Sequence, residues 1–156
     1  VKAAVVAAVL AALEKDLAQL KKAALASQEA ATSEENKPEN QYDTRALEAS
    51  YLADAQSQRV AGLERAVKAL QNTPILSKFS AVNTGSLVKV TVDDQPKWFF
   101  LLPAAAGVVV EVAGKKISVL GHESPVGQAL LGKHPGDSAE VKVPGGKKEY
   151  EIISID

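Results

Sequence analysis

Along the first half of the chain, apolar residues recur in alternating steps of four and three. Val6, Leu10, Leu13, Leu17, Leu20, Ala24, Ser27 and Ala31 form one such seam, the repeat by which a helix packs along another in a coiled coil. Because no Gly or Pro interrupts residues 2–36, the pattern predicts a first helix of roughly 29 residues, on the order of 45 Å at ~1.5 Å per residue. A second seam runs through Tyr42, Ala46, Ala49, Ala53, Gln56, Val60, Leu63, Val67 and Leu70. Two such stripes joined by a short polar stretch are expected to fold back on each other. Residues 1–73 are therefore read as an antiparallel hairpin with its tip at 32–40. Leu13, Leu17 and Leu20 face Val60, Leu63 and Val67 near the base, while Ala24, Ser27 and Ala31 face Ala46 and Ala49 farther out. The far end should be slim.

At Pro74, which disfavours helix in the residue before it, the period changes to two. Val88, Val90 and Val92 fall on one side of a strand, with Lys89 and Thr91 on the other, the signature of a strand buried on one face. Strands are expected at 86–92, 97–102, 108–112, 117–120, 139–143 and 148–155, with turns at 93–96, 113–115 and 144–146. Ser124 suits a helix N-cap, Pro125 the first helical position, and Gly132 the end of the apolar run that follows. The expected fold class is α+β: an N-terminal α-helical hairpin, then at 74–156 a small, mainly antiparallel β-sheet domain with one short helix.

Composition agrees with this division. Of seven aromatic residues, Phe79, Trp98, Phe99, Phe100 and Tyr150 lie beyond position 78, whereas the first half is rich in Ala, Leu, Glu, Gln and Lys, all strong helix formers. A net charge of −1 argues against a generally basic binder of nucleic acid, whose affinity comes from clustered Lys and Arg. Any nucleic acid would be met through a partner. With no cysteine there is no disulfide framework, thiolate zinc site or thiol nucleophile, which fits a cytoplasmic address. The apolar run at the start ends at Glu14 and Lys15, short of the ~18 residues a membrane span requires. No membrane partner is expected.

Acid is concentrated at the predicted tip. Between Glu29 and Asp43 the acids Glu29, Glu34, Glu35, Glu39 and Asp43 stand against Lys37 alone, five against one, a local balance of −4. Glu39 and Asp43 also suit the opening turns of a helix, where carboxylates complement the positive end of its dipole. In the second half, His122 and His134 lack the supporting pattern of a metal site. Ser124 lacks the Gly-x-Ser-x-Gly elbow of a nucleophile. Gly145 and Gly146 precede no helix that could bind phosphate.

The order Ser124-Pro125-Val126-Gly127-Gln128-Ala129-Leu130-Leu131-Gly132-Lys133, Gly136-Asp137, Pro144-Gly145-Gly146 and Tyr150-Glu151-Ile152 closely resembles the C-terminal half of the Gre transcript cleavage factors. Glu39-Asn40 ahead of the second helix is similar to the Glu-Asn of the Gre tip. The resemblance implies an FKBP-like fold for 74–156. It also implies a monomeric partner of bacterial RNA polymerase that docks on the rim of the secondary channel and sends its hairpin toward the active site. Docking would fall to Glu123, Ser124 and Pro125, with Glu123 in place of the family's usual Asp.

In that family two tip acids help hold a Mg²⁺ shared with the polymerase and so promote hydrolysis at the 3′ end of backtracked RNA. Hard oxygen donors suit this metal. Glu39 matches one of those acids, whereas Asn36 occupies the place of the other, leaving Glu35 and Glu39 as the shifted pair, with Glu34 and Asp43 as further tip acids. The chain itself would be no stand-alone enzyme. A factor that occupies the channel without promoting cleavage is the alternative. A peptidyl-prolyl isomerase acting through the C-terminal domain, and a scaffold or dimerisation hairpin with Gln56 specifying register, are the readings from other classes.

Overall fold

The computed structural model describes the backbone of residues 2–32, 45–75 and 78–156, and the side chains of 2–26, 29, 53–75 and 78–156. Helix α1 spans Lys2–Thr32 and helix α2 spans Arg45–Gln71. Helix α2 stops where expected. Asn72 N–H still reaches Lys68 O at 3.1 Å, Thr73 Oγ1 donates to Ala69 O at 2.7 Å, and Pro74 then closes the helical path.

The start of α1, to Ala12, and the end of α2, from Ala66, group with the rest of the chain in one compact unit, while Leu13–Arg65 forms another. Helices that share their opposite ends in this way run antiparallel, as the two seams predict. Within the Leu13–Arg65 unit, Lys21 Nζ lies 3.2 Å from Glu64 Oε1, and Leu13, Ala24 and Ala53 are buried. Gln56 sits in the seam with its Oε1 buried and without a hydrogen-bond partner among the described residues.

In the first turns of α1 the buried stripe departs from expectation. Val5 and Val9 are fully buried, whereas Val6 and Leu10 are only half-buried. The buried stripe is rotated by one residue in turns that group with residues 66–156. Lys2, itself buried, places its ammonium 4.5 Å from the centre of the Phe79 ring. The start of α1 thus has a neighbour outside the two helices, which the two-helix repeat alone does not set.

The second half forms strands β1 (Leu87–Val92), β2 (Gln95–Leu101), β3 (Val109–Val112), β4 (Lys115–Leu120), β5 (Ser138–Val143) and β6 (Gly146–Ile155), with helix α3 (Pro125–Leu130) between β4 and β5. They make one sheet in the order β3-β4-β2-β1-β6-β5. Its first turn is tighter than expected. Only Asp93 and Asp94 connect β1 to β2, both with positive φ (52° and 58°), so Gln95 and Pro96 already pair with Val92 and Thr91. Such primed turns match the twist of the strands they join. Pro96, lacking an N–H, is tolerated because it precedes the stretch of β2, from Trp98, that also pairs with β4.

The sheet is mainly antiparallel, as expected, with one parallel pairing. β2 and β4 are parallel, with Trp98 opposite Ile117 and Leu101 opposite Leu120. After β2 the chain crosses to the edge, forms β3, and returns as β4 beside β2. A hairpin entered from its outer strand must bring its second strand back in the direction of β2. The main core lies on the α3 side, where Val88, Val90, Val92, Phe99, Leu101, Tyr150 and Ile152 meet Leu130. Leu87, Phe100, Ile117 and Val119 alternate to the other face and are buried too.

Candidate functional site

The segment leaving β4 is shaped by short-range hydrogen bonds. Ser124 takes an extended conformation (φ −68°, ψ 146°) and caps α3, its Oγ accepting from Gly127 N–H at 3.0 Å. The same hydroxyl donates to Gly121 O at 2.9 Å, so both of its hydrogen-bonding roles are used within the turn. Ser124 thus acts as the N-cap its sequence position predicts, and it is not poised as a nucleophile. Pro125 follows at the first helical position, where its missing N–H leaves no gap.

Helix α3 is fixed to the sheet at its other end. Leu130 is fully buried, Gly132 N–H donates to Val82 O at 2.9 Å, and Val82 N–H donates to Lys133 O at 2.9 Å. Between the two fixed points, Glu123 and Pro125 are exposed, while His122 and Ser124 are half-buried. Glu123 makes no ion pair among the described residues, so its carboxylate is available to a cationic partner. The proposed partner-binding trio is therefore brought together on one turn, with two members facing out and the third holding the turn.

The other histidine-bearing turn is separate. Asp137 Oδ2 accepts from His134 N–H at 2.8 Å, and this bond holds the Asp137 carboxyl below the usual carboxylate range. His122 Nε2 instead forms a hydrogen bond with Thr84 Oγ1. Among the described residues no group of three or more His, Cys, Asp or Glu could hold a metal ion. No helix there is long and apolar enough to cross a membrane.

The tip acids Glu34, Glu35, Glu39 and Asp43, with Asn36, lie outside the described residues. The aromatic run of β2 is split by strand alternation. Phe99 packs into the core with its ring centre 6.2 Å from that of Tyr150. Trp98 points to the opposite face, with Lys115 Nζ 4.5 Å and Lys89 Nζ 5.6 Å from its ring centre. The three consecutive aromatics therefore do not line one isomerase-type pocket. The tie between Thr84 and His122 was missed by sequence reasoning, and no local signal could have found it, because the partners are 38 positions apart.

Comparison with known proteins bears on the same region. The family model for "Transcription elongation factor, GreA/GreB, C-term" matches residues 77–156, just over half of the chain. The transcription elongation factor GreA of Ruegeria pomeroyi is 39% identical over 79 residues, covering 51% of this chain and 45% of that protein. That of Clostridium kluyveri is 39% identical over 77 residues, covering 47% and 44%. The chain thus spans less than half the length of these curated relatives. A crystal structure of GreA factor homolog 1 (Gfh1) of Thermus thermophilus aligns over 96% of this chain and 95% of that one, at 21% identity and a TM-score of 0.39. With the capped Ser124-Pro125 turn and the sheet behind it falling wholly inside the matched region, the chain belongs to the GreA/GreB family of transcription elongation factors.

Proposed function

We propose that this protein is an RNA polymerase-binding elongation factor that docks on the rim of the secondary channel and reaches into it with the α1–α2 hairpin. The observation that carries this reading is the α3 turn, which exposes the apolar ring of Pro125 and a Glu123 carboxylate without an ion pair among the described residues, on a turn capped by Ser124. A basic side chain flanked by apolar surface is the complementary partner chemistry. The protein acts as a monomer in the cytoplasm and meets the RNA 3′ end only through the polymerase.

For cleavage, Glu39 and Glu35 are the tip carboxylates. Two carboxylates supply hard oxygen donors but too few for a self-sufficient Mg²⁺ cage, which fits a metal shared with the polymerase. Such a metal would stabilise charge developing on the attacked phosphate. Asn36, where the family carries an acid, favours a second reading, a factor that occupies the channel without promoting cleavage.

Halted, backtracked complexes decide between them. Shortening of the RNA on addition of the protein with Mg²⁺, lost in Glu39→Ala, supports cleavage. Polymerase binding without shortening supports occupancy alone, and absence of any polymerase binding rejects both.

A further inference from the structure

The three bonds that shape the α3 turn are all local. Ser124 Oγ to Gly121 O, Gly127 N–H to Ser124 Oγ and Ser124 N–H to Gly121 O each span three residues. They define the form of the turn but not where its outer residues stand on the domain. Beyond Ser124, helix α3 supplies that reference through buried Leu130 and the bonds that Gly132 and Lys133 make with Val82. Before Glu123, the long-range side-chain tie of this segment is the one from His122 to Thr84.

Thr84 is well placed to act as an anchor. It belongs to a turn in which Ser86 is fully buried, Ser86 Oγ donates to Asn83 O at 2.6 Å and accepts from Asn83 N–H at 3.0 Å. Gly85 N–H donates to Leu101 O at 2.7 Å and Leu101 N–H donates to Ser86 O at 3.1 Å, so this turn is bound to the end of β2. Gly85 itself has φ +89°, and a Cβ there would stand 3.0 Å from Pro74 O. The residues on either side of Thr84 are thus held by backbone bonds.

Resting on the docking reading above, we propose that His122 is a positioning residue: through Thr84 it fixes the direction in which Glu123 is presented to the polymerase. Glu123 lies between two held neighbours, His122 tied to the Thr84 turn and Ser124 capping the helix. The hydrogen bond at His122 and the cap at Ser124 limit how far the Glu123 backbone between them can swing. Holding the Glu123 backbone on folding removes that part of the ordering cost from binding, which is how preorganisation raises affinity.

The test is equilibrium binding of the full chain to core RNA polymerase, alongside thermal melting of each variant. Thr84→Val and His122→Ala are each expected to weaken binding about tenfold, the scale of one hydrogen bond. The double variant should be no weaker than the poorer single one. Thr84→Ser and His122→Gln, which can keep the bond, should restore most of the affinity at unchanged melting temperature. Amide NMR of the free protein should show Glu123 becoming mobile in Thr84→Val while the β1 and β6 amides stay ordered. Additive losses, or conservative variants that fall as far as the disruptive ones, would overturn the positioning role. Variants that bind like the parent would overturn it as well, leaving the docking reading intact. A parent protein without polymerase affinity would instead remove the docking reading and this inference together.

Discussion

A Cβ placed on Gly127 would stand 2.1 Å from the carbonyl oxygen of Gly121. The same atom would be 2.7 Å from Ser124 Oγ, so the space above Gly127 is filled by the turn that precedes α3. Gly127→Ala must push that turn off the helix, because the obstructing atoms are backbone and a bonded hydroxyl. A loss of about 1–3 kcal/mol is expected in urea denaturation, with weaker polymerase binding than the stability loss alone would produce. An alanine variant as stable as the parent would show that the turn yields.

Ser124 has a capping role that can be separated from any partner contact. Ser124→Ala should cost about 1 kcal/mol, since Gly127 N–H loses its acceptor. Ser124→Asp keeps an acceptor at the cap and should retain most of that stability. Chemical denaturation measures both. If Ser124→Asp is stable yet binds polymerase poorly, the hydroxyl also contacts the partner.

The β1–β2 turn is strained in a way that a single change relieves. Asp94 has φ 58°, a region that costs an L-residue energy and glycine nearly nothing. Asp94→Gly should stabilise the domain by about 0.5–1 kcal/mol. Asp93 should be left in place, because its Oδ2 lies 2.8 Å from Lys148 Nζ. The midpoint of thermal or urea unfolding checks the sign.

Acid sensitivity should be traceable in part to Asp137. Its carboxyl is held below the usual range, first by the His134 N–H it accepts and then by the nearby His134 side chain. A carboxylate with a folded pKa below its unfolded value of about 4 contributes fully above that pH and progressively less as pH falls through the folded value. Asp137→Asn should therefore be less stable than the parent at pH 7, with the gap closing toward pH 3. A gap independent of pH would mean that the charge contributes nothing.

Features that depend on a few neighbouring residues could be read from the sequence. The two seams, the absence of Gly and Pro through α1, and the alternation of Val88, Val90 and Val92 each encode a period. Ser124-Pro125 encodes a helix start in two adjacent positions, and the structure places α3 there. Turn boundaries were read too broadly at Asp93–Pro96, because positive φ at two successive Asp residues has no strong sequence mark.

What escaped the sequence depends on closure of the fold. Which side of α1 is buried at its start does not follow the heptad: Val5 and Val9 are buried in place of Val6 and Leu10, in turns that group with the second half of the chain, where Lys2 meets Phe79. Parallel pairing of β2 with β4 follows from the path of the chain around the sheet edge. His122 meets Thr84 only because β4 ends beside the turn that leads into β1. The sequence by itself determined the periods, the cap and the family motif, since each is a property of residues within a turn or two. Only the tertiary structure decided which distant groups share a bond, because that choice is made by packing the whole unit and not by any local preference.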